Sequence, residues 1–80
     1  MTKAEWLQRK TDSLKKVVNS YVRLVYRYPD GIEQELFGYV YDDLTLGGGW
    51  IDVEILVRIE RRDTDIETVF NIEPMTPMAL

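Results

Sequence analysis

Ile51-Asp52-Val53-Glu54-Ile55-Leu56-Val57-Arg58-Ile59-Glu60 is the stretch on which the fold turns. Apolar and polar residues alternate along it with period two, the mark of a strand with one face on a core and the other on solvent. Leu56 departs from that alternation, and Val25, Phe37, Tyr39 and Val69 do the same in the flanking strand-like segments. A sheet needs one apolar face for its core, and a second apolar surface needs something to cover it. Val25, Phe37, Tyr39, Leu56 and Val69 are therefore expected to form an outer interaction stripe, with Trp50 and Leu44 as further contact residues from a neighbouring loop.

Upstream, Thr2-Lys3-Ala4-Glu5 has the pattern of a capping box. The Thr2 hydroxyl can take the Glu5 amide while the Glu5 carboxylate reaches back. Ala4, Leu7, Leu14 and Val18 then recur at helical spacing, with Trp6 and Val17 widening the stripe, so a helix of about 17 residues is expected before the period changes near Asn19-Ser20. Two hairpins follow. Tyr21 to Tyr28 and Ile32 to Tyr41 flank Pro29-Asp30-Gly31, where Gly31 supplies the left-handed residue of a three-residue loop. That loop sets Leu24 opposite Leu36 and Arg27 opposite Glu33. Strands Ile51–Glu60 and Asp65–Glu73 are expected to pair around residues 61–64, with Ile59 opposite Ile66, Ile55 opposite Phe70 and Leu56 opposite Val69.

The expected fold class is thus α+β: an N-terminal helix on a four-stranded antiparallel sheet of two hairpins, open to curling into a partial barrel. Residues 1–73 form the single domain and residues 74–80 an extended tail broken by Pro74 and Pro77. The order of elements is similar to that of Sm-like RNA-binding domains, and Pro29-Asp30-Gly31, Gly38 and Asp42 carry the comparison. The spacing departs from that family's pattern, and no Asn follows Asp42 where it places a base-contacting residue. The likeness is one of topology alone.

Composition narrows the chemistry. The chain has no histidine and no cysteine, which removes the commonest acid–base group, a thiolate nucleophile and zinc–thiolate ligation. Asp42-Asp43 and the Asp63/Asp65 pair lack the spacing of a calcium loop and suit turns. Leu46-Gly47-Gly48-Gly49-Trp50 has no following Lys-Ser or Lys-Thr for phosphate; it suits a pliable crossover with Trp50 closing the end of the core, or a partner contact. No catalytic residues, cofactor or metal are expected. No apolar run is long enough for a membrane span, and a cytoplasmic protein is expected.

Charge is divided along the chain. Residues 1–28 carry seven bases against two acids, and residues 29–80 three bases against twelve acids, which together make the net charge of −4. Such a split suits a basic helix docked on an acidic sheet, or an acidic surface that engages a basic partner. The functional expectation is a non-catalytic protein-binding module that self-associates through the outer stripe. Its acidic half would engage a basic site on a larger protein, in the manner of small phage-encoded inhibitors. The alternative is a single-stranded nucleic-acid binder using the basic helix and the tyrosines and arginines of the first hairpin; the acidic excess argues against it.

Overall fold

In a computed structural model of the chain, which describes residues 2–63 and 65–72, one helix lies on a four-stranded antiparallel sheet. The elements are α1 (Lys3–Lys15), β1 (Tyr21–Arg27), β2 (Glu33–Tyr39), β3 (Thr45–Leu46), β4 (Gly49–Trp50), β5 (Leu56–Arg62) and β6 (Ile66–Asn71). The large sheet has the order β2-β1-β5-β6 and does not close into a barrel, while β3 and β4 form a small hairpin of their own.

Both halves of the capping box are made at the start of α1. Thr2 Oγ1 accepts from the Glu5 amide and Glu5 Oε1 accepts from the Thr2 amide, at 3.2 and 2.8 Å. The helix stops at Lys15, shorter than its apolar spacing suggests. The Val17 and Ser20 amides donate to carbonyls only three residues back, and Asn19 takes a left-handed φ of +68°. That conformation suits Asn and turns the chain from the helix into β1.

The β1–β2 hairpin follows the expected register throughout, from Tyr21 opposite Tyr39 to Arg27 opposite Glu33. Its loop is closed by the Tyr28 amide to the Ile32 carbonyl at 2.9 Å, with Gly31 at φ +89° where a side chain would be strained.

The second hairpin departs from expectation. β5 begins at Leu56, and residues 51–55 form a loop and turn instead of strand. β5 runs on to Arg62, and Ile59 faces Phe70, not Ile66. Arg62 faces Ile66, which already displaces the expected register by three positions at the turn end, and two bulges add to that shift. One lies against β1, where Tyr26 faces Leu56 while Val25 already faces Arg58; the other lies against β6, between Ile59 and Glu60. Each extra residue resets the in–out alternation. Leu56 and Ile59, three apart, therefore both point into the core and are fully buried. Ile66 moves to the surface at 66% exposure instead of joining the core.

The core comprises Leu14, Val17, Val22, Leu24, Tyr26, Val40, Leu56, Ile59 and Phe70, with Trp6 packing on Phe70 at 5.7 Å between ring centroids. Lys10 is buried among them at 2% exposure. Its Nζ donates to the carbonyls of Val53 at 2.9 Å and Glu54 at 3.1 Å, pinning the helix to the turn before β5. Burial lowers the Lys10 pKa, opposed by the nearby charges of Asp52 and Glu54. The expected tail, residues 74–80, lies outside the described residues, as does Glu73.

Candidate docking surface on the outer sheet face

The helix covers one face of the sheet, and among the described residues no element lies over the other. Alternation along β1 and β2 sends Tyr21, Arg23, Val25 and Arg27, with Glu33, Glu35, Phe37 and Tyr39, to this outer face. β5 and β6 add Arg58, Glu60, Arg62, Ile66 and Thr68 through their pairings. The face divides into a charged centre and an aromatic end.

Glu60 is the hub of the centre and is itself buried. Its Oε2 accepts from Arg58 Nε at 3.0 Å, from Arg58 Nη2 at 2.9 Å and from Arg23 Nη1 at 3.4 Å; its Oε1 accepts from Arg62 Nη1 at 2.9 Å. Burial pushes the Glu60 carboxyl up, but the hydrogen bonds from Arg58 and Arg62 and the charges of Arg23 and Arg58 outweigh it and hold the pKa below the usual range. Arg23 also reaches Glu35 at 2.6 Å, and that hydrogen bond lowers the Glu35 pKa. Arg27 pairs with Glu33 at 2.7 Å. Beneath these groups Val25 and Val57 form the floor of a shallow cleft walled by Arg23, Arg27, Arg58 and Glu33. Four arginines against three glutamates leave the face close to neutral.

At the aromatic end the Tyr21 ring stacks on Phe37 with centroids 6.5 Å apart and meets Tyr39 edge-on at 5.2 Å. The Arg62 guanidinium sits 5.9 Å from the Phe37 centroid, within cation–π range. Phe37 is 49% and Tyr39 53% exposed, so the rings pack on one another without being covered.

The structure sorts the expected contact residues. Phe37 and Tyr39 come together and stay open. Val25 is buried under the arginine stems, and Val69 is half-buried against the core. Leu56 is a correction: it lies on the inner face at 0% exposure and offers nothing to a partner. Leu44 is half-buried at φ +61°. Trp50 does not close the core as one reading of the glycine loop has it; it stands 90% exposed on the β3–β4 hairpin, whose turn residues Gly47 and Gly48 have φ +58° and +92°. Positive φ at both positions is the requirement of a tight two-residue hairpin turn, so the glycines form a defined turn where a pliable crossover was expected. Tyr21 entered the sequence reading only among the first hairpin's tyrosines, for the single-strand alternative, and the Glu60 hub was not singled out. The signal for Tyr21 lay in the first hairpin's register, which places it opposite Tyr39; the hub needs Arg23 beside Glu60, a β1–β5 pairing that the two separate hairpins do not specify.

Of the four aspartates weighed for metal binding, Asp43 and Asp63 serve the backbone, as does Asp52. Asp43 Oδ1 accepts from the Thr45 amide and hydroxyl, Asp63 Oδ1 from the Tyr21 amide, and Asp52 Oδ1 from the Glu54 amide. Among the described residues no group of three or more acids could hold a metal ion, and no helix is long and apolar enough to cross a membrane. No protein-family model, curated protein or solved structure matches this chain.

Proposed function

We propose that the chain is a non-catalytic protein-binding module whose docking surface is the outer sheet face. The observation that carries this reading is the cluster of exposed Phe37 and Tyr39 with half-buried Tyr21, together on the sheet face opposite α1. Aromatic side chains with an arginine beside them are the groups that most often anchor protein interfaces. The near-balance of charge around them supports a protein over a polyanion, because each arginine of the face already has a glutamate partner. The exposed Trp50, on a segment from Asp42 to Glu54 that carries four acids and no base, supports a second contact with a basic surface, the inhibitor-like part of the reading.

Photocrosslinking tests the proposal. With benzoylphenylalanine in place of Tyr39, irradiation in the cells that make the chain should yield protein adducts, while the same probe at exposed Gln8 on the helix should not. Adducts to nucleic acid alone, or none above the Gln8 control, would overturn it and favour the single-strand reading.

A further inference from the structure

The two edges of the sheet are unequally protected. β6 carries a bulge, whereas β2 pairs with β1 over seven consecutive residues without irregularity. Exposed edges are ordinarily blunted by bulges, Pro, Lys or an unmatched charge. β2 has no bulge, Pro or Lys, and its glutamates are matched by Arg27 and Arg23 on the adjacent strand.

Backbone alternation along β2 decides which groups this edge presents. The Tyr28 amide bonds the Ile32 carbonyl and the Val40 amide bonds the Ser20 carbonyl, so even-numbered residues of β2 turn toward β1. The Gly47 amide reaches the Tyr39 carbonyl from the opposite side, as odd-numbered positions facing outward require. Glu33, Glu35 and Phe37 therefore direct both amide and carbonyl at the open edge, and Tyr39 its amide. The exposed rings of Phe37 and Tyr39 sit directly above that edge.

We infer that a second copy of this chain pairs antiparallel with β2 across a two-fold axis, joining two sheets into one of eight strands; this rests on the protein-binding reading and names the partner. The face's near-neutral mixture of arginine and glutamate suits a like surface. Symmetry leaves few registers, because only odd-numbered residues can face one another with hydrogen bonds. An axis at Glu35 sets that residue against its own copy, a like-charge pair. An axis at Phe37 drives the second strand along Tyr39 toward Tyr41, into the β3–β4 hairpin that already holds the Tyr39 carbonyl. An axis at Leu36 avoids both faults. It places Glu35 opposite Phe37 of the second copy, twice, brings each Tyr39 amide to a Glu33 carbonyl, and sets the two Phe37 rings diagonally across the axis, within aromatic reach. The pairing adds main-chain hydrogen bonds in the manner of strand addition and brings the aromatic ends of the two faces side by side.

Sedimentation velocity on wild type, Glu35→Ala and Glu35→Pro tests this. The residue-35 amide faces the edge, so proline there removes no β1–β2 hydrogen bond and the fold, checked by circular dichroism, is retained. Wild type and Glu35→Ala are expected to dimerise, and Glu35→Pro to require at least tenfold higher concentration. Because the chain has no cysteine, Leu36→Cys supplies a single thiol, and at the axis its Cα would lie about 4.5 Å from its mate, close enough for a disulfide. Mild oxidation should link Leu36→Cys into dimers and leave the exposed control Ile66→Cys monomeric; should Glu35→Pro fail to fold, this result decides. A wild-type monomer at the highest soluble concentration would overturn the inference, and so would a dimer unaffected by Glu35→Pro that does not cross-link through residue 36. Either failure leaves the protein-binding reading standing if the Tyr39 probe still labels protein, and that reading falls only if the probe does not.

Discussion

Truncating Leu56 to alanine removes a side chain that is fully buried where β5 bulges against β1, opposite Tyr26. Three carbons are lost, worth about 2.4 kcal/mol at about 0.8 kcal/mol per buried methylene. The cavity left behind adds to this unless neighbours collapse into it, and buried Leu→Ala changes span about 2–5 kcal/mol. Half-buried Val53 and Ile55 sit on a turn beside the site and can settle inward, which favours the lower half, about 3 kcal/mol. For a domain of this size, each kcal/mol moves Tm by about 4–8 °C, so a fall of roughly 12–24 °C is expected. Urea unfolding followed by far-ultraviolet circular dichroism, at a concentration low enough to keep the chain monomeric, measures the change directly. Ile66→Ala, at an exposed position of the same sheet, should stay within about 0.5 kcal/mol of wild type. A loss under about 1 kcal/mol for Leu56→Ala, or equal losses for both variants, would refute the inward placement of Leu56 and with it the bulge in β5.

Lys10→Met keeps the buried stem but strands the Val53 and Glu54 carbonyls, and should cost about 1–3 kcal/mol with faster proteolysis in residues 51–55; unchanged stability and proteolysis would show that the pin is dispensable. Glu60 has a folded pKa below its unfolded value, so its stabilisation is complete above the unfolded pKa, near 4.3, and is lost as pH falls through the folded one. Glu60→Gln should therefore lower stability at pH 7 and flatten its decline below about pH 4, and a wild-type acid limb reproduced in full by the variant would count against the hub. Tyr26→Phe removes the hydroxyl that accepts from the Asp52 amide at 2.9 Å and should cost about 1–2 kcal/mol. In hydrogen exchange the Asp52 amide should lose protection more than its neighbours do, and equal protection in both proteins would refute the contact.

What was legible in the sequence was local or strictly periodic. The capping box needs only four adjacent residues, and both of its hydrogen bonds form. The first hairpin was legible because Gly31 selects the loop and only one register sets Leu24 on Leu36 and Arg27 on Glu33. The second hairpin was not, because period-two reasoning assumes that no residue is extra, and Val57 and Val69 are both extra. That fault misplaced Leu56 and drew Ile66 into the core, whereas Arg23 reaches Glu60 through the β1–β5 pairing, which neither hairpin's own pattern specifies. Lys10 was illegible for a different reason: a lysine on a helix reads as solvated, and the two carbonyls that reward its burial come from more than 40 residues away. Of the surface, Phe37 and Tyr39 were found because their strand is regular.

The two tryptophans occupy opposite environments, which makes them separate optical reporters. Trp6 is half-buried between Phe70 and the Arg9 guanidinium, so its emission should shift to longer wavelength when the helix leaves the sheet. Trp50 is already immersed in water in the native state, and unfolding offers it little further change. A binding partner reverses the roles, since a surface that closes over the glycine hairpin should blue-shift and shield Trp50 while Trp6 stays silent. Quenching by iodide, compared between Trp6→Phe and Trp50→Phe, would thus separate docking from unfolding without a label.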